Sequence, residues 1–175
     1  IYFGCFFHLI FVTMNPLLSI ICICYNQDEF LEQAIESVFS QKGVFFEVII
    51  IDDCSTDKSQ EVIKELSKKF DFQSIILHSQ NVGNCKSFNE GLDLAKGEYI
   101  IDLSCDDFFL PGAFKYQSEF FNMQEKTVGM VFSNALIVNR RGEYVKHHFE
   151  VDTEERSLVY VPSGTVFSDV LEHYF

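Results

Sequence analysis

The strongest constraint on the fold is a threefold alternation of apolar runs with helix-like patterns, closed by a fourth apolar run. The apolar runs cover residues 17–24, 45–51, 74–77 and 99–103. Between them, apolar residues recur every three or four positions, as on the buried face of an amphipathic helix. Strands that alternate with helices form parallel sheets through right-handed crossovers. The sequence therefore predicts an α/β fold, an open and mostly parallel sheet with helices on both faces.

Polar side chains follow three of these apolar runs. Tyr25 follows the first run, Asp52 and Asp53 follow the second, and Asp106 and Asp107 lie just past the fourth. Ligands of open α/β sheets bind outside the carboxyl ends of the strands. Oxygen ligands of this kind suit Mg²⁺ or Mn²⁺ carrying phosphates, so one of the last two acids is expected to hold a metal ion. A solvated turn that caps the next helix stays open as an alternative.

Local signals predict where the helices begin and end. Asn26 or Asp28 is expected to cap the first helix through its side chain. Gly97 stands where a glycine is expected to close the third helix. Pro111 is expected at the first position of a fourth helix.

The part of the chain after Pro111 predicts a smaller and more mixed region. We expect a helix over 114–121, strands over 129–132 and 136–139, a hairpin turn at 139–142 leading into a strand at 144–146, an acidic loop over 150–156, and a last helix starting at 166. No internal repeat or low-complexity segment accompanies this pattern.

Composition excludes some classes of function. The 175 residues carry a formal net charge of −13, whereas a nucleic-acid-binding surface would be basic. A ligand that carries phosphates would need a metal ion or a nearby Lys or Arg in this negative field. The six cysteines include no C-x-x-C pair, and most lie within apolar runs. This usage predicts a reducing, cytoplasmic compartment without a disulfide framework.

The first thirteen residues are apolar but do not match a known leader. The stretch 1–13 is too short to span a bilayer and lacks the basic start and cleavage site of a secretory signal. Met14 is the expected natural start, so we interpret 1–13 as an extension outside the fold and 14–175 as the folded domain. Peripheral association with the inner face of the membrane stays open.

Five spaced motifs in residues 17–148 resemble the donor-binding half of family 2 glycosyltransferases, which have the GT-A fold. The matches, in chain order, are Cys24-Tyr25-Asn26, Asp52-Asp53-Cys54-Ser55-Thr56-Asp57, Asn81-Val82-Gly83 with Asn89-Glu90-Gly91, Ala95-Lys96-Gly97-Glu98-Tyr99-Ile100, and Ser104-Cys105-Asp106-Asp107. The resemblance implies inverting, metal-dependent transfer of a sugar from a nucleotide donor, with UDP favoured, to a hydroxyl of a saccharide or lipid-linked acceptor in polysaccharide or glycoconjugate synthesis.

The resemblance also implies roles for individual residues. Tyr25 would stack on the nucleobase, and Asp52, with Asp53 as second choice, would bond the base or ribose. Asp106 would hold Mg²⁺ or Mn²⁺ at the departing diphosphate. Lys86 would touch phosphate, with a solvated helix lysine as the alternative. The full set of expected nucleotide-sugar contacts is Tyr25, Asn26, Asp52, Asp53, Lys86, Ser104, Cys105 and Asp106.

Two departures from the family pattern limit these expectations. Ser104 replaces the first aspartate of the family's Asp-x-Asp motif, so Asp106 is expected to supply the carboxylate contact to the metal. The family's catalytic base lies further along the chain and is expected beyond Phe175, which would leave this domain truncated on its acceptor side. A non-catalytic fragment that binds sugar nucleotides is the main alternative. A signalling receiver domain is disfavoured, because the acidic pair of receivers follows the first strand, whereas Asp52 and Asp53 follow the second predicted strand of this chain.

Overall fold

The computed structural model describes residues 17–131, 133–149, 151–152 and 157–158. The chain divides after Phe120 into two units. The first contains β1 (Leu18–Cys24), α1 (Leu31–Phe39), β2 (Phe46–Asp52), α2 (Ser59–Leu66), β3 (Ser74–Leu77), α3 (Asn84–Leu94) and β4 (Tyr99–Ser104). Helix α4 (Ala113–Asn122) crosses the division, and the second unit contains β5 (Leu136–Val138), β6 (Tyr144–His147), β7 (Val151–Asp152) and β8 (Ser157–Leu158).

The four strands of the first unit form one parallel sheet in the order β3-β2-β1-β4. This confirms the predicted α/β architecture. The register pairs Cys24 with Asp52 and Ile23 with Ser104, so β1, β2 and β4 end at nearly the same level. The residues that follow these strands therefore meet at one edge of the sheet.

Successive residues of β1 point to opposite faces of the sheet, and helices cover both faces. Ile20 belongs to a core cluster with buried residues of α1 and α2 and with Phe114 of α4. Ile21 belongs to the opposite cluster, against which Phe88 of α3 packs. Both isoleucines are fully buried, and burial of each contributes roughly 1.5–3 kcal/mol. This two-sided burial explains why the strands read as continuous apolar runs.

The structure gives Gly97 a different role from the predicted helix cap. Helix α3 ends with Ala95 as its C-cap. A Cβ at Gly97 would lie 2.5 Å from the Ser19 backbone nitrogen and 2.7 Å from the Leu18 carbonyl carbon. The Gly97 N–H also donates to Ser19 Oγ at 2.8 Å. Glycine is therefore required because the chain entering β4 passes directly against β1.

Three other local expectations are wrong. Neither Asn26 nor Asp28 caps α1, whose first turn instead uses the Gln27 carbonyl for the Phe30 and Leu31 N–H groups. Pro111 lies two residues before α4, because Gly112 takes a φ of +83° between them. Residues 129–131 form no strand, and residue 132 lies outside the described residues.

The second unit contains the predicted hairpin. Strands β5 and β6 pair antiparallel around a turn in which the Gly142 N–H donates to the Asn139 carbonyl at 2.8 Å and Gly142 has a φ of +76°. Strands β7 and β8 form a separate antiparallel pair. The predicted acidic loop falls mostly, and the predicted last helix entirely, outside the described residues. Among the helices of the described part of the chain, none has the length and apolar character needed to cross a bilayer.

The close approach at Gly97 makes a stability prediction. Gly97→Ala is expected to lower the free energy of unfolding by about 1–3 kcal/mol, because the new methyl group meets backbone atoms of β1 that cannot move aside. Urea denaturation measures the change. Gly129→Ala is the matched control, since its Cβ would meet nothing within 4 Å, and its effect is expected below about 0.5 kcal/mol. Equal effects of the two substitutions would contradict this role for Gly97.

Candidate active site

A cleft of about 330 Å³ opens at the carboxyl ends of the strands. It is lined by Ile23, Tyr25, Gln27, Asp53, Asn81, Gly83, Asn84, Asp102 and Ser104. These residues come from the ends of β1, β2 and β4 and the positions just after them, from the loop between β3 and α3, and from the first residue of α3. The cleft thus lies at the edge of the sheet where the sequence predicts a ligand.

The alternation of side chains decides which face of the sheet carries the cleft. Ile23 belongs to the cluster on the α3 face. On the neighbouring strand β4, Leu103 belongs to the opposite cluster, so Asp102 and Ser104 point to the α3 face, where both are exposed. Burial around the Asp102 carboxyl nevertheless raises its pKa above the ordinary value, against a hydrogen bond from the Leu103 N–H that lowers it.

Tyr25 and Asn26 form the turn that leaves β1. The Tyr25 residue is 49% exposed, so its ring is available to stack on a planar ligand. Asn26 has a φ of +56°, a conformation that asparagine tolerates better than most residues. Its N–H donates to Ser55 Oγ at 2.9 Å, and its Oδ1 accepts the Thr56 N–H at 2.7 Å. Asn26 is not among the residues that line the cleft, and its side-chain oxygen instead joins the turn after β1 to the loop after β2.

Asp52, the first choice for base or ribose contact, does not line the cleft. It is fully buried, and its Oδ1 accepts hydrogen bonds from the Ser55 N–H at 3.0 Å and Gln60 Nε2 at 2.7 Å. Its Oδ2 has no hydrogen-bond partner among the described residues. Because Asp52 is the last residue of β2 and two positions after Ile50, it faces the α1 side of the sheet. Asp53, one residue later, is among the residues that line the cleft.

The carboxylate of Asp53 organises the cleft wall. Its Oδ1 accepts the Val82 N–H at 2.8 Å and lies 3.0 Å from His78 Nδ1, while its Oδ2 accepts the Gly83 N–H at 2.8 Å. The Asn81 side chain also donates to the Asp53 carbonyl at 3.2 Å. Burial works to raise the pKa of Asp53, but the bonds from Val82, His78 and Gly83 outweigh it and hold this pKa below its ordinary value.

His78 is a functional candidate that the sequence reasoning missed. Its Nδ1 faces Asp53, and its Nε2 lies 2.7 Å from Glu90 Oε2 on α3. Burial works to lower the pKa of His78, but hydrogen bonds to Asp53 and Glu90 raise it above its ordinary value. The available signal was its position directly after β3, at the same edge of the sheet as the acids. Gln27 was missed in the same way, after β1.

The end of β4 presents a short hydrogen-bonded chain. Gln27 Nε2 donates to Ser104 Oγ at 3.2 Å, and Ser104 Oγ donates to Asp106 Oδ1 at 2.6 Å. Asp106 is exposed. Burial raises the pKa of Asp107, and the negative charge of Asp106 raises it further. Ser104 therefore orients the carboxylate of Asp106, which leaves Asp106 Oδ2 for a cation or a ligand.

The described residues include no group of three His, Cys, Asp or Glu side chains able to hold a metal ion. One carboxylate still fits Mg²⁺ or Mn²⁺ when the phosphates of a ligand and water supply the other oxygens. The donor set around Asp106 is of this kind. It fits a cation shared with a diphosphate and does not fit a metal held by the protein alone.

Two further expected contacts, Cys105 and Lys86, are also not among the residues that line the cleft. Cys105 is fully buried in the core beside Leu103, and its N–H donates to the Ile23 carbonyl at 3.1 Å. The alternation that exposes Ser104 and Asp106 turns Cys105 inward, so its thiol cannot reach a ligand in the cleft. Lys86 is exposed in the first turn of α3 and does not line the cleft, as the alternative of a solvated lysine implies.

The bonds of Asp53 predict a pH-dependent contribution to stability. Asp53→Asn is expected to lower the free energy of unfolding at neutral pH by about 1.5–3 kcal/mol. The substitution removes the charge of a buried carboxylate that accepts three hydrogen bonds. The pKa of Asp53 is lower in the folded chain, so the difference is full above the ordinary value of 3.8 and disappears as pH falls through the lowered value. Urea denaturation at several pH values measures it. The exposed Asp71→Asn is the control, and a pH-independent difference between parent and Asp53→Asn would contradict the prediction.

Comparisons with known proteins agree with this architecture. The family model described as "Glycosyl transferase family 2" matches residues 19–166. TuaG, a glycosyltransferase assigned to teichuronic acid biosynthesis in Bacillus subtilis strain 168, is 26% identical over 159 residues, or 91% of this chain and 58% of TuaG. The poly-β-1,6-N-acetyl-D-glucosamine synthase of Staphylococcus epidermidis is 34% identical over 123 residues, or 70% of this chain and 29% of the synthase. The chain spans about half the length of the first curated relatives it matches.

Solved structures show the same fold. The 1–349 portion of S. aureus TarS in complex with UDP-GlcNAc has a TM-score of 0.54 and 26% identity, covering 60% of this chain and 31% of that one. A further structure of the 1–349 portion has a TM-score of 0.55 at 22% identity, covering 72% of this chain and 42% of that one, and shows likeness of fold alone. The sheet flanked by helices is thus the predicted GT-A fold, and the chain belongs to glycosyl transferase family 2.

Proposed function

We propose that this chain binds a UDP-sugar in the cleft and that the protein transfers the sugar, with inversion, to a hydroxyl of a saccharide or lipid-linked acceptor. The observation that carries the proposal is that Tyr25, Asp53 and Ser104 line one cleft at the sheet edge, with the Asp106 carboxylate hydrogen-bonded to Ser104. The related TarS structure with UDP-GlcNAc and the name of the related polysaccharide synthase support a UDP-sugar as donor and a saccharide as acceptor.

The bonds of Asp53 favour a nucleobase that carries an N–H donor. A carboxylate offers about four lone-pair positions, and Asp53 uses three of them within the chain. The remaining position is on Oδ2, at the cleft wall. Uracil presents one ring N–H flanked by two carbonyl groups, so it can donate to this oxygen while its face stacks on Tyr25. Asp53 therefore replaces Asp52 as the proposed base contact.

The charge balance of the cleft favours a divalent cation beside the diphosphate. None of the described residues that line the cleft is Lys or Arg, and the whole chain is strongly negative. A bound Mg²⁺ or Mn²⁺ would neutralise charge on the departing diphosphate. Asp106 would hold this cation through Oδ2, and Ser104 would keep the carboxylate in place by donating to Oδ1.

Inverting transfer needs a base that takes the proton of the acceptor hydroxyl on the face opposite the nucleotide. We assign donor binding to the described residues and assign the base to none of them.

The state of the cysteines supports a location for the protein. The described cysteines are Cys22, Cys24, Cys54, Cys85 and Cys105, and all are free. We therefore place the protein on the cytoplasmic side, with association at the inner face of the membrane as part of the proposal.

Calorimetry of UDP binding with and without Mn²⁺ tests the donor site. Asp106→Asn keeps the shape of the side chain and removes its charge, so it is expected to abolish the Mn²⁺-dependent part of binding. The expected loss is on the order of 1.5–3 kcal/mol, or about 10- to 150-fold in Kd. Ser104→Ala is expected to cost much less, because the hydroxyl orients Asp106 and carries no charge.

The exposed Asp71→Asn again serves as the control, because it makes the same change in net charge away from the cleft. UDP and Mn²⁺ binding by Asp106→Asn equal to that of the parent would contradict the proposed donor site. A parent that binds UDP-sugars but transfers to no saccharide or lipid-linked acceptor would instead favour the non-catalytic alternative.

A further inference from the structure

His78 lies between two carboxylates from different elements. Its Nδ1 is 3.0 Å from Asp53 Oδ1 at the end of β2, and its Nε2 is 2.7 Å from Glu90 Oε2 on α3. The His78 side chain is 13% exposed, that of Asp53 4%, and that of Glu90 48%. A neutral imidazole has one N–H donor, whereas the imidazolium cation has two. Only the cation can donate to both carboxylates at once.

The partner of His78 also holds the loop that lines the cleft. Asp53 accepts the Val82 and Gly83 N–H groups. Gly83 has a φ of +91° and lines the cleft, as does Asn81. An Asp53 carboxylate free to rotate would release these N–H groups together. The orientation of Asp53 therefore controls one wall of the cleft.

We propose that His78 acts as a positioning residue: its imidazolium, anchored by Glu90, fixes the Asp53 carboxylate and with it the 81–83 loop in the geometry that accepts the nucleotide. The part of this inference that concerns nucleotide binding rests on the proposed function, whereas the part that concerns the order of the 81–83 loop rests on the structure alone. His78 touches no reacting atom in this scheme and acts only through Asp53. The direct consequence is a nucleotide affinity that depends on the protonation of His78.

The other charged groups nearby do not compete for the ring. Asp52 gives its backbone carbonyl to the His78 N–H at 2.9 Å, but its carboxyl bonds Ser55 and Gln60 on the other face of the sheet. Lys86, one turn before Glu90 on α3, is exposed. The two carboxylates that contact the ring thus dominate its charge environment, and they raise its pKa.

The sign of the pH effect follows from these contacts. The pKa of His78 is raised in the folded chain, so the bridge is fully formed below the ordinary value of 6.5 and is lost as pH rises through the raised value. The pKa of Asp53 is lowered, so its side of the bridge fails only well into the acid range. The ordered loop is therefore expected between these two limits.

The first experiment follows the loop without a nucleotide. NMR titration of the His78 ring is expected to show a pKa above the ordinary value in the parent and a lower one in Glu90→Gln. Hydrogen exchange of the Val82 and Gly83 amides, compared at one pH near neutrality, is expected to be about tenfold faster in His78→Gln than in the parent. Glu65→Gln, which removes the charge of Glu65 on α2 from its exposed ion pair with Lys68, is the control and is expected to change neither quantity.

The second experiment measures calorimetric affinity for UDP-GlcNAc across the His78 titration. This probe avoids the terminal phosphate of UDP, which itself titrates near neutrality. The parent is expected to bind three- to tenfold more weakly above the raised pKa than below it. His78→Gln is expected to bind weakly and without this pH step, and Glu90→Gln to show the step at lower pH. If His78 had a purely structural role, His78→Gln would weaken the binding of UDP-GlcNAc by the same factor at every pH.

Unchanged amide exchange in His78→Gln, or a parent without the pH step, would overturn the positioning role. Because Glu90 is half exposed, Glu90→Gln tests the role even if His78→Gln fails to fold. A parent that binds no UDP-GlcNAc while its amides respond to His78 would overturn the proposed donor and retain the control of the loop.

Discussion

The carboxylate of Asp53 is the interaction on which the cleft depends. It is almost fully buried, yet it stays ionised because two backbone N–H groups and His78 surround it. An ionised carboxylate is costly to bury without such partners. Its bonds join the end of β2 to the loop between β3 and α3, two segments about thirty residues apart in sequence. Without them, the cleft would lose the wall formed by Asn81 and Gly83.

The alternation of side chains at the strand ends separates support from ligand contact. Asp52 and Cys105 point to the α1 face, where both are buried. Asp53 and Ser104, which are next to Asp52 and Cys105 respectively, line the cleft, and Asp106 is hydrogen-bonded to Ser104. A pair of adjacent acids therefore has two functions: one orders the loop that follows β2, and its neighbour lines the cleft. The same rule places Ser104 between Gln27 and Asp106 rather than in the core.

The fold was largely predictable from the sequence, because strand burial and helix periodicity are local signals. Strand β3 has the predicted bounds of 74–77, β1 and β4 differ from theirs by one residue at one end, and β2 is shifted by one residue at both ends. The positions of the expected site residues relative to the cleft were less predictable, and the shift of β2 by one residue explains part of this. The expected second strand stops at Ile51, whereas β2 continues through Asp52, and this shift determines which acid faces the cleft.

The remaining differences come from contacts between distant parts of the chain. Gly97 is required by backbone atoms of β1 that lie nearly eighty residues earlier, so its neighbours in sequence suggested a helix cap instead. His78 gains its significance from Asp53 and Glu90, which belong to different elements. Neither relation leaves a short motif. The signal that could have identified both His78 and Gln27 as candidate site residues is that each lies just after the carboxyl end of a strand of the main sheet.

A crystal structure of the chain with UDP and Mn²⁺ tests the central claim most directly. The claim is that this sheet edge binds the nucleoside diphosphate of a sugar donor. The predicted result places the uracil ring against Tyr25 with its N–H on Asp53 Oδ2, and Mn²⁺ between the diphosphate and Asp106. UDP bound at another surface, or bound in the cleft with the uracil away from Asp53 and the metal away from Asp106, would contradict the claim.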